Sequence, residues 1–256
     1  MHKLIWSEEQ VLNFVSILKP LTGDEAYFLS LSARNKYLSD EERKALDLGR
    51  TEMFARKLVK QDLVGGLSTD FVFLRTLKTM EVAEGGYTSR SGKVLPSKCM
   101  VAYANINPTS GFKALRMFTE TTTKMLFDTC TDPESILRIN SLDTILMNCY
   151  QKVRSTKYLI DVDFDIPDEG TPLVSRFCKV MSENGVEYHV IKTKSGFHVL
   201  LKRDTLKFNY TKAVAAANEE AGKTFGEEHV EVVINTNEMV PIPGTIQADF
   251  KVCLLG

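Results

Sequence analysis

Tyr158-Leu159-Ile160-Asp161-Val162-Asp163-Phe164-Asp165 runs strand-forming apolar residues straight into carboxylates spaced two apart. Alternate side chains of a strand share a face, so Asp161, Asp163 and Asp165 line one side together. Unpaired carboxylates crowded in this way repel and raise one another's pKa. A divalent cation among them relieves that cost, and hard oxygen ligands suit Mg2+ or Mn2+. The plainer alternative is a strand running into the acidic turn Ile166-Pro167-Asp168-Glu169-Gly170, its aspartates merely solvated. On these residues alone both readings stand.

Working outward, Thr171 to Glu183 reads as a helix and Val186 to Thr193 as a strand. Lys194-Ser195-Gly196 reads as a turn, and Phe197-His198-Val199-Leu200-Leu201 as the next strand. A glycine turn carrying Lys and Ser offers backbone N–H groups, a hydroxyl and an ammonium to a phosphate. The alternatives are a solvated turn and a hydrogen-bonded hairpin histidine. Tyr210 to Thr224, with its run of alanines, favours a second helix, and short strands follow. The resulting β-α-β-β-α-β order is the ferredoxin-like, or RNA-recognition-motif-like, plan. That plan sets the first strand beside the third, which brings Asp161 and Asp163 next to His198.

The first half reads as mixed α/β. Glu8 to Lys19 has helical spacing ended by Pro20 and Gly23, and Ala26 to Ser32 reads as a strand. Asp40 to Leu58 is expected as one helix or two, opened by a Ser39 cap with Glu42 three residues on. Phe71 to Leu77 and Met100 to Ala104 are expected strands, and Gly111 to Phe127 and Ser135 to Tyr150 expected helices. The fold class expected is thus α+β: an N-terminal α/β module over 1–150 packed on an RNA-recognition-motif-like module over 151–256. Two basic segments, Ser32-Ala33-Arg34-Asn35-Lys36-Tyr37 and Tyr87 to Lys93, mix cations with Tyr, Ser and Gly. They read either as solvated loops or as phosphate-backbone contacts through Arg34, Lys36, Arg90 and Lys93. Asn105 to Gly111 reads either as side chains offered to a template or as a strand-to-helix connection, with Ser110 as a cap.

These motifs together resemble the archaeo-eukaryotic primase superfamily, over roughly Lys157 to the C-terminus. Leu159-Ile160-Asp161-Val162-Asp163 is similar to its Asp-x-Asp motif, and Gly196-Phe197-His198, with Ser195 before it, to its small-x-His hairpin. Asn235 to Gln247, followed by Asp249-Phe250-Lys251-Val252, resembles its third region. The resemblance implies a metal-dependent, template-directed nucleotidyltransferase that starts or extends primers. In it Asp161, Asp163 and His198 are catalytic, and Asp161, Asp163 and Asp165 hold Mg2+ or Mn2+. Lys194, Ser195, Gly196, His198, Gln247 and Lys251 contact the nucleotide. The implied partners are a nucleoside triphosphate and single-stranded DNA template, with a replicative helicase or polymerase as a further one.

The chain departs from that pattern at several points, among them Pro241, which stands where an arginine before Pro-Gly is usual. Asn235 stands where the family has its third carboxylate, and Gln247 where a nucleotide-contacting histidine is usual. Glu231, Glu238 and Asp165 are the acids left to supply the missing charge. A primase-like protein that binds nucleotide or nucleic acid without turnover is therefore the alternative. A metal-dependent nuclease ranks behind both, because His189 and His198 do not form a His-x-His pair.

Composition limits the rest. The 256 residues are 43% hydrophobic and 25% charged with a net charge of -1, an ordinary globular profile without a global basic signature. Five cysteines lie scattered without Cys-x-x-Cys spacing, against a zinc module and in favour of reduced thiols. No apolar run is long enough to span a membrane, and Met1-His2-Lys3-Leu4 does not open a signal peptide. The expected location is the cytoplasm, a host's cytoplasm if the chain is viral.

Overall fold

The computed structural model describes residues 2–89, 91–130, 141–226 and 230–255. In chain order the first half contains α1 (Glu8–Ile17), β1 (Glu25–Ala33), α2 (Asp40–Leu46), β2 (Glu52–Lys60), α3 (Thr69–Lys78), β3 (Met100–Asn105), β4 (Thr109–Ser110), α4 (Gly111–Thr129) and α5 (Leu142–Lys152). The second half contains β5 (Leu159–Asp165), α6 (Thr171–Glu183), β6 (Tyr188–Thr193), β7 (Gly196–Lys202), α7 (Tyr210–Phe225), β8 (Glu231–Ile234), β9 (Met239–Pro241), β10 (Ile246–Gln247), β11 (Phe250–Lys251) and β12 (Cys253–Leu255). The protein is mixed α/β, and every strand pairing described is antiparallel.

All nine residues of β1 are buried, and it forms the axis of the first sheet, ordered β2-β1-β3-β9 with β4 also on β1. Its alternation explains the burial. Tyr27, Leu29, Leu31 and Ala33 enter the core with Val11 and Phe14 of α1 and Phe73 and Leu77 of α3. On the opposite face Phe28 packs with Ala114 of α4 and with Cys149 and Tyr150 of α5. Ser30 and Ser32 share that face and line a cleft instead.

Two expectations for the first half fail. Phe71 to Leu77 is helix α3, not a strand. An unbroken apolar run is ambiguous by periodicity, and here Phe73, Leu74 and Leu77 are buried at helical spacing, with Asp70 in the first turn and Arg75 and Lys78 in the last. Asp40 to Leu58 is not helical throughout. The Ser39/Glu42 capping box forms, but the helix stops at Leu46, where Asp47 adopts a left-handed φ of 55°. The following residues become β2 and supply one edge of β1 with its backbone partners. Of the helix expected over Ser135 to Tyr150, residues 135–140 lie outside those described, and α5 begins at Leu142.

The second sheet is ordered β12-β6-β7-β5-β8, so β5 lies between β7 and β8. Ile160, Val162 and Phe164 of β5 point at α6 and α7, meeting Phe177 and Met181 from one and Val214, Ala217 and Ala221 from the other. Each fully buried side chain of this size contributes roughly 2 kcal/mol, which offsets the crowding of carboxylates on the other face. There Leu159, Leu200 and Ile191 join the core of the first sheet. The same face carries Asp161 and Asp163 onward, out of that core and toward the cleft.

Chain segments cross between the halves. Helix α5 runs through residue 150, and β9 returns to pair with β3 (Tyr103 opposite Pro241). Asn107 fastens the start of β5: its Oδ1 accepts the Tyr158 and Leu159 N–H groups at 2.6 and 2.8 Å, and its Nδ2 donates to the Leu159 carbonyl at 2.9 Å. Asn105 accepts the Phe28 N–H at 2.5 Å. Both asparagines are buried, Asn107 bracketing the start of β5 and Asn105 tying β3 to β1 within the first sheet, and Ser110 caps α4 by accepting the Lys113 N–H. Among the described residues no helix is long and apolar enough to cross a membrane.

Candidate active site

Three neighbouring strands converge on Asp161. In the β5–β7 register Asp163 lies opposite His198 and Asp161 opposite Leu200. His198 Nδ1 is 3.1 and 3.0 Å from the two Asp161 carboxylate oxygens and 3.7 Å from Asp163 Oδ1. Asp161 is 1% exposed and His198 7%. From the other side, just past β8, Asn235 donates its backbone N–H to the Asp161 carbonyl at 2.9 Å and its Nδ2 to Asp161 Oδ2 at 2.7 Å. Asn235 is itself held, since its Oδ1 accepts the Asn237 N–H at 3.0 Å.

Burial works against a charge on His198, yet the Asp161 carboxylate beside it, aided by Asp163 and Asp165, outweighs that and pushes its pKa up to about 9. The imidazole is therefore protonated at neutral pH and both its nitrogens donate. Asp163 is raised, first by burial and then by Asp161 and Asp165, with His198 and Lys36 opposing. The positive charge facing these acids comes chiefly from the imidazolium, with Lys36 adding to it at Asp163. Among the described residues no three acid, His or Cys side chains stand arranged to hold a cation. By donor type, the carboxylates of Asp161, Asp163 and Asp165 still match a hard divalent ion.

The turn between β6 and β7 consists of Lys194 and Ser195, with Thr193 opposite Gly196. Gly196 has a φ of +150°, and a Cβ there would lie 1.9 Å from the Phe164 carbonyl oxygen. Glycine is thus demanded by the close approach of the hairpin to β5. The Lys194 N–H donates to Gln247 Oε1 at 3.0 Å and its Nζ to the Ala248 carbonyl at 2.8 Å, 5.2 Å from the Tyr37 ring centre. Gln247 Nε2 donates in turn to the Tyr37 hydroxyl at 2.6 Å.

These groups border a cleft of about 790 Å³ between the two sheets. Of the residues singled out in the sequence, Asp163, Asp165, Ser195, His198, Gln247, Arg34 and Lys36 line it. Asp161 lies behind His198. Lys194, Gly196, Lys93 and Lys251 are not among the lining residues, and Lys251 instead sits 5.2 Å from the Trp6 ring centre. Arg90 lies outside the described residues. Glu238 reaches the cleft but is held by Asn107 at 2.9 Å, Arg154 at 3.1 Å and Lys157 at 3.2 Å. Glu231 lies opposite Asp165 in the β5–β8 register but is exposed and does not line the cleft. Of the three acids considered in place of a carboxylate at 235, Asp165 alone both faces the cleft and belongs to the β5 acid row.

Sequence reasoning missed much of the wall supplied by the first sheet, the end of α5 and the residues just after it, namely Ser30, Tyr103, Lys152 and Arg154. One signal was visible: Ser30, Ser32 and Arg34 alternate with apolar residues in an otherwise hydrophobic strand. No protein-family model matches the chain, and no curated protein and no solved structure matches it.

Proposed function

We propose that the chain is a primase-type nucleotidyltransferase core built on a ferredoxin-like, RNA-recognition-motif-like β5-α6-β6-β7-α7-β8 unit. The observation that carries this reading is the contact of Asp161 on the interior strand β5 with His198 on its neighbour β7, at 3.0 Å, beside a cleft of about 790 Å³. That volume suits a small-molecule ligand of nucleotide size.

Asp161, Asp163 and Asp165 are the residues that would hold Mg2+ or Mn2+. Such an ion, when bound, supplies Lewis-acid activation of an attacking 3′-hydroxyl and neutralises triphosphate charge. The protein's own groups do the rest. Asp161 orients the His198 ring through Nδ1 and keeps it charged, so Nε2 presents a cationic donor to a phosphate oxygen. Asn235 fixes Asp161 in turn. Ser195 and Gln247 border the same space, and Arg34 and Lys36 add positive potential along it. The substrates would be a nucleoside triphosphate and a single-stranded DNA template.

A second reading, a nucleotide-binding accessory protein without turnover, is favoured by one contact. Asn235 occupies a position where the resemblance implies a carboxylate, and it gives Asp161 an amide proton. Incorporation of labelled nucleotide on templated single-stranded DNA, with Mg2+ or Mn2+, separates the two. The catalytic reading expects incorporation that the Asp161→Ala/Asp163→Ala double variant abolishes. Equal incorporation by that variant would refute the assignment, and wild-type binding without incorporation would favour the accessory protein.

A further inference from the structure

The first-sheet wall of the cleft carries donors that the protein does not use. Ser30 is 1% exposed, lines the cleft, and its Oγ has no hydrogen-bond partner among the described residues. Arg34, which follows β1 in extended backbone and also lines the cleft, has a buried Nε that is equally unpartnered. Its Nη1 donates to the Tyr103 hydroxyl at 2.9 Å, and Arg34 makes no ion pair among the described residues. Tyr103 stands directly opposite Ser30 in the β1–β3 register. Because its oxygen accepts from Arg34, its own O–H remains available as a donor. Burial raises that phenol far above neutrality, which keeps the proton in place.

Buried donors without acceptors are rare and destabilising, and a guanidinium without a carboxylate is more so. Here two such donors, Ser30 Oγ and Arg34 Nε, together with the spare O–H of Tyr103, converge on one side of an open cleft. The remedy is a ligand rich in acceptors and negatively charged. Arg34 sets its class, because the planar fork of a guanidinium matches phosphate oxygens. A neutral sugar or base would leave its charge uncompensated.

We propose that Ser30, Arg34 and Tyr103 form a second phosphate seat, on the first sheet and across the cleft from His198. It rests on the nucleotide-handling reading above and adds to it a grip on the opposite wall. The phosphate comes either from the nucleoside triphosphate or from a phosphodiester of the single strand.

Binding measured in chelator, without turnover, tests the seat with two probes: ATP by calorimetry and a fluorescein-labelled oligothymidylate by anisotropy. The variants are Ser30→Ala and Tyr103→Phe. Ser30→Ala removes an unsatisfied hydroxyl, so its melting temperature is expected to match or exceed the wild type's. Each variant is expected to weaken at least one probe by about tenfold, the size of a lost hydrogen bond to a charged group. Loss for ATP alone assigns the seat to the nucleotide, loss for the oligonucleotide alone to the strand, and loss for both to a shared seat. Unchanged affinity for both probes in both variants overturns the proposal, as does a wild type that binds neither. A wild type that binds yet never incorporates nucleotide would sink the catalytic reading and leave this seat intact.

Discussion

Asn235 grips Asp161 twice, through its backbone N–H at 2.9 Å and its side-chain amide at 2.7 Å. Asp161 is thereby held between a neutral donor beyond β8 and a cationic donor on β7, which only the middle of three strands permits. A buried carboxylate with this many donors is well satisfied. Its environment explains how an acid 1% exposed is tolerated beside the Leu159 and Leu200 core.

Asn235→Asp would turn the amide contact into a repulsion between carboxylates. In chelator the variant is expected to melt below the wild type, with a loss of about 1–3 kcal/mol. Added Mg2+ or Mn2+ is expected to restore it. Melting curves with and without the ion check this, and a variant indifferent to divalent cations would count against a metal among these acids.

His198 supplies a pH dependence of known sign. Its folded pKa of about 9 lies above the ordinary 6.5, so the folded protein binds the extra proton more tightly than the unfolded chain. The resulting stability is fully present below pH 6.5 and is lost as pH rises through about 9. It amounts to on the order of 3 kcal/mol. Urea unfolding of wild type and His198→Gln at pH 6 and pH 10 is expected to show a gap at the lower pH that shrinks at the higher. A gap independent of pH would mean that the ring is held neutral.

Asp163→Asn is expected to separate stability from activity. The folded protein raises the Asp163 carboxyl, chiefly through burial, so its ionised form at neutral pH is a net cost to folding. Removing the charge is expected to leave the melting temperature unchanged or higher while eliminating metal-dependent nucleotide incorporation. A marked fall in melting temperature would show that the 3.7 Å contact to His198 outweighs the repulsion from Asp161.

Gly196→Ala places a methyl group 1.9 Å from the Phe164 carbonyl oxygen at a φ of +150°. The strand pairing that sets Asp163 opposite His198 would have to shift. A loss of about 3 kcal/mol or more in urea unfolding is expected. A stable variant with native activity would refute glycine's role in the register.

The order from β5 to β8 was legible because its signals agree. A strand of buried residues, an alanine-rich helix and a glycine turn are each local, and antiparallel pairing then leaves little freedom of order. Asp161, Asp163, His198 and Asn235 were legible for the same reason, lying on or beside three adjacent strands. Phe71 to Leu77 and the second half of Asp40 to Leu58 were misread because their residues suit either element. The choice was made by what they pack against: Phe14 for α3, and the open edge of β1 for β2. Lys194, expected to face a phosphate, was committed by the fold to Gln247 and Ala248, residues more than fifty positions away.

The alternation of acid and apolar residues along β5 and the β-α-β-β-α-β order are properties of local pattern, and the chain alone determined them. That His198 would sit against Asp161 also followed, because strand pairing is a short-range geometric rule. The other wall of the cleft was decided only in three dimensions. Ser30, Arg34 and Tyr103 are distant in sequence from the acids, and they face them because Asn107, β9 and the shared Leu159, Leu200 and Val240 core dock one sheet on the other. Such docking depends on how two finished surfaces pack, and no spacing of residues along a chain encodes that directly.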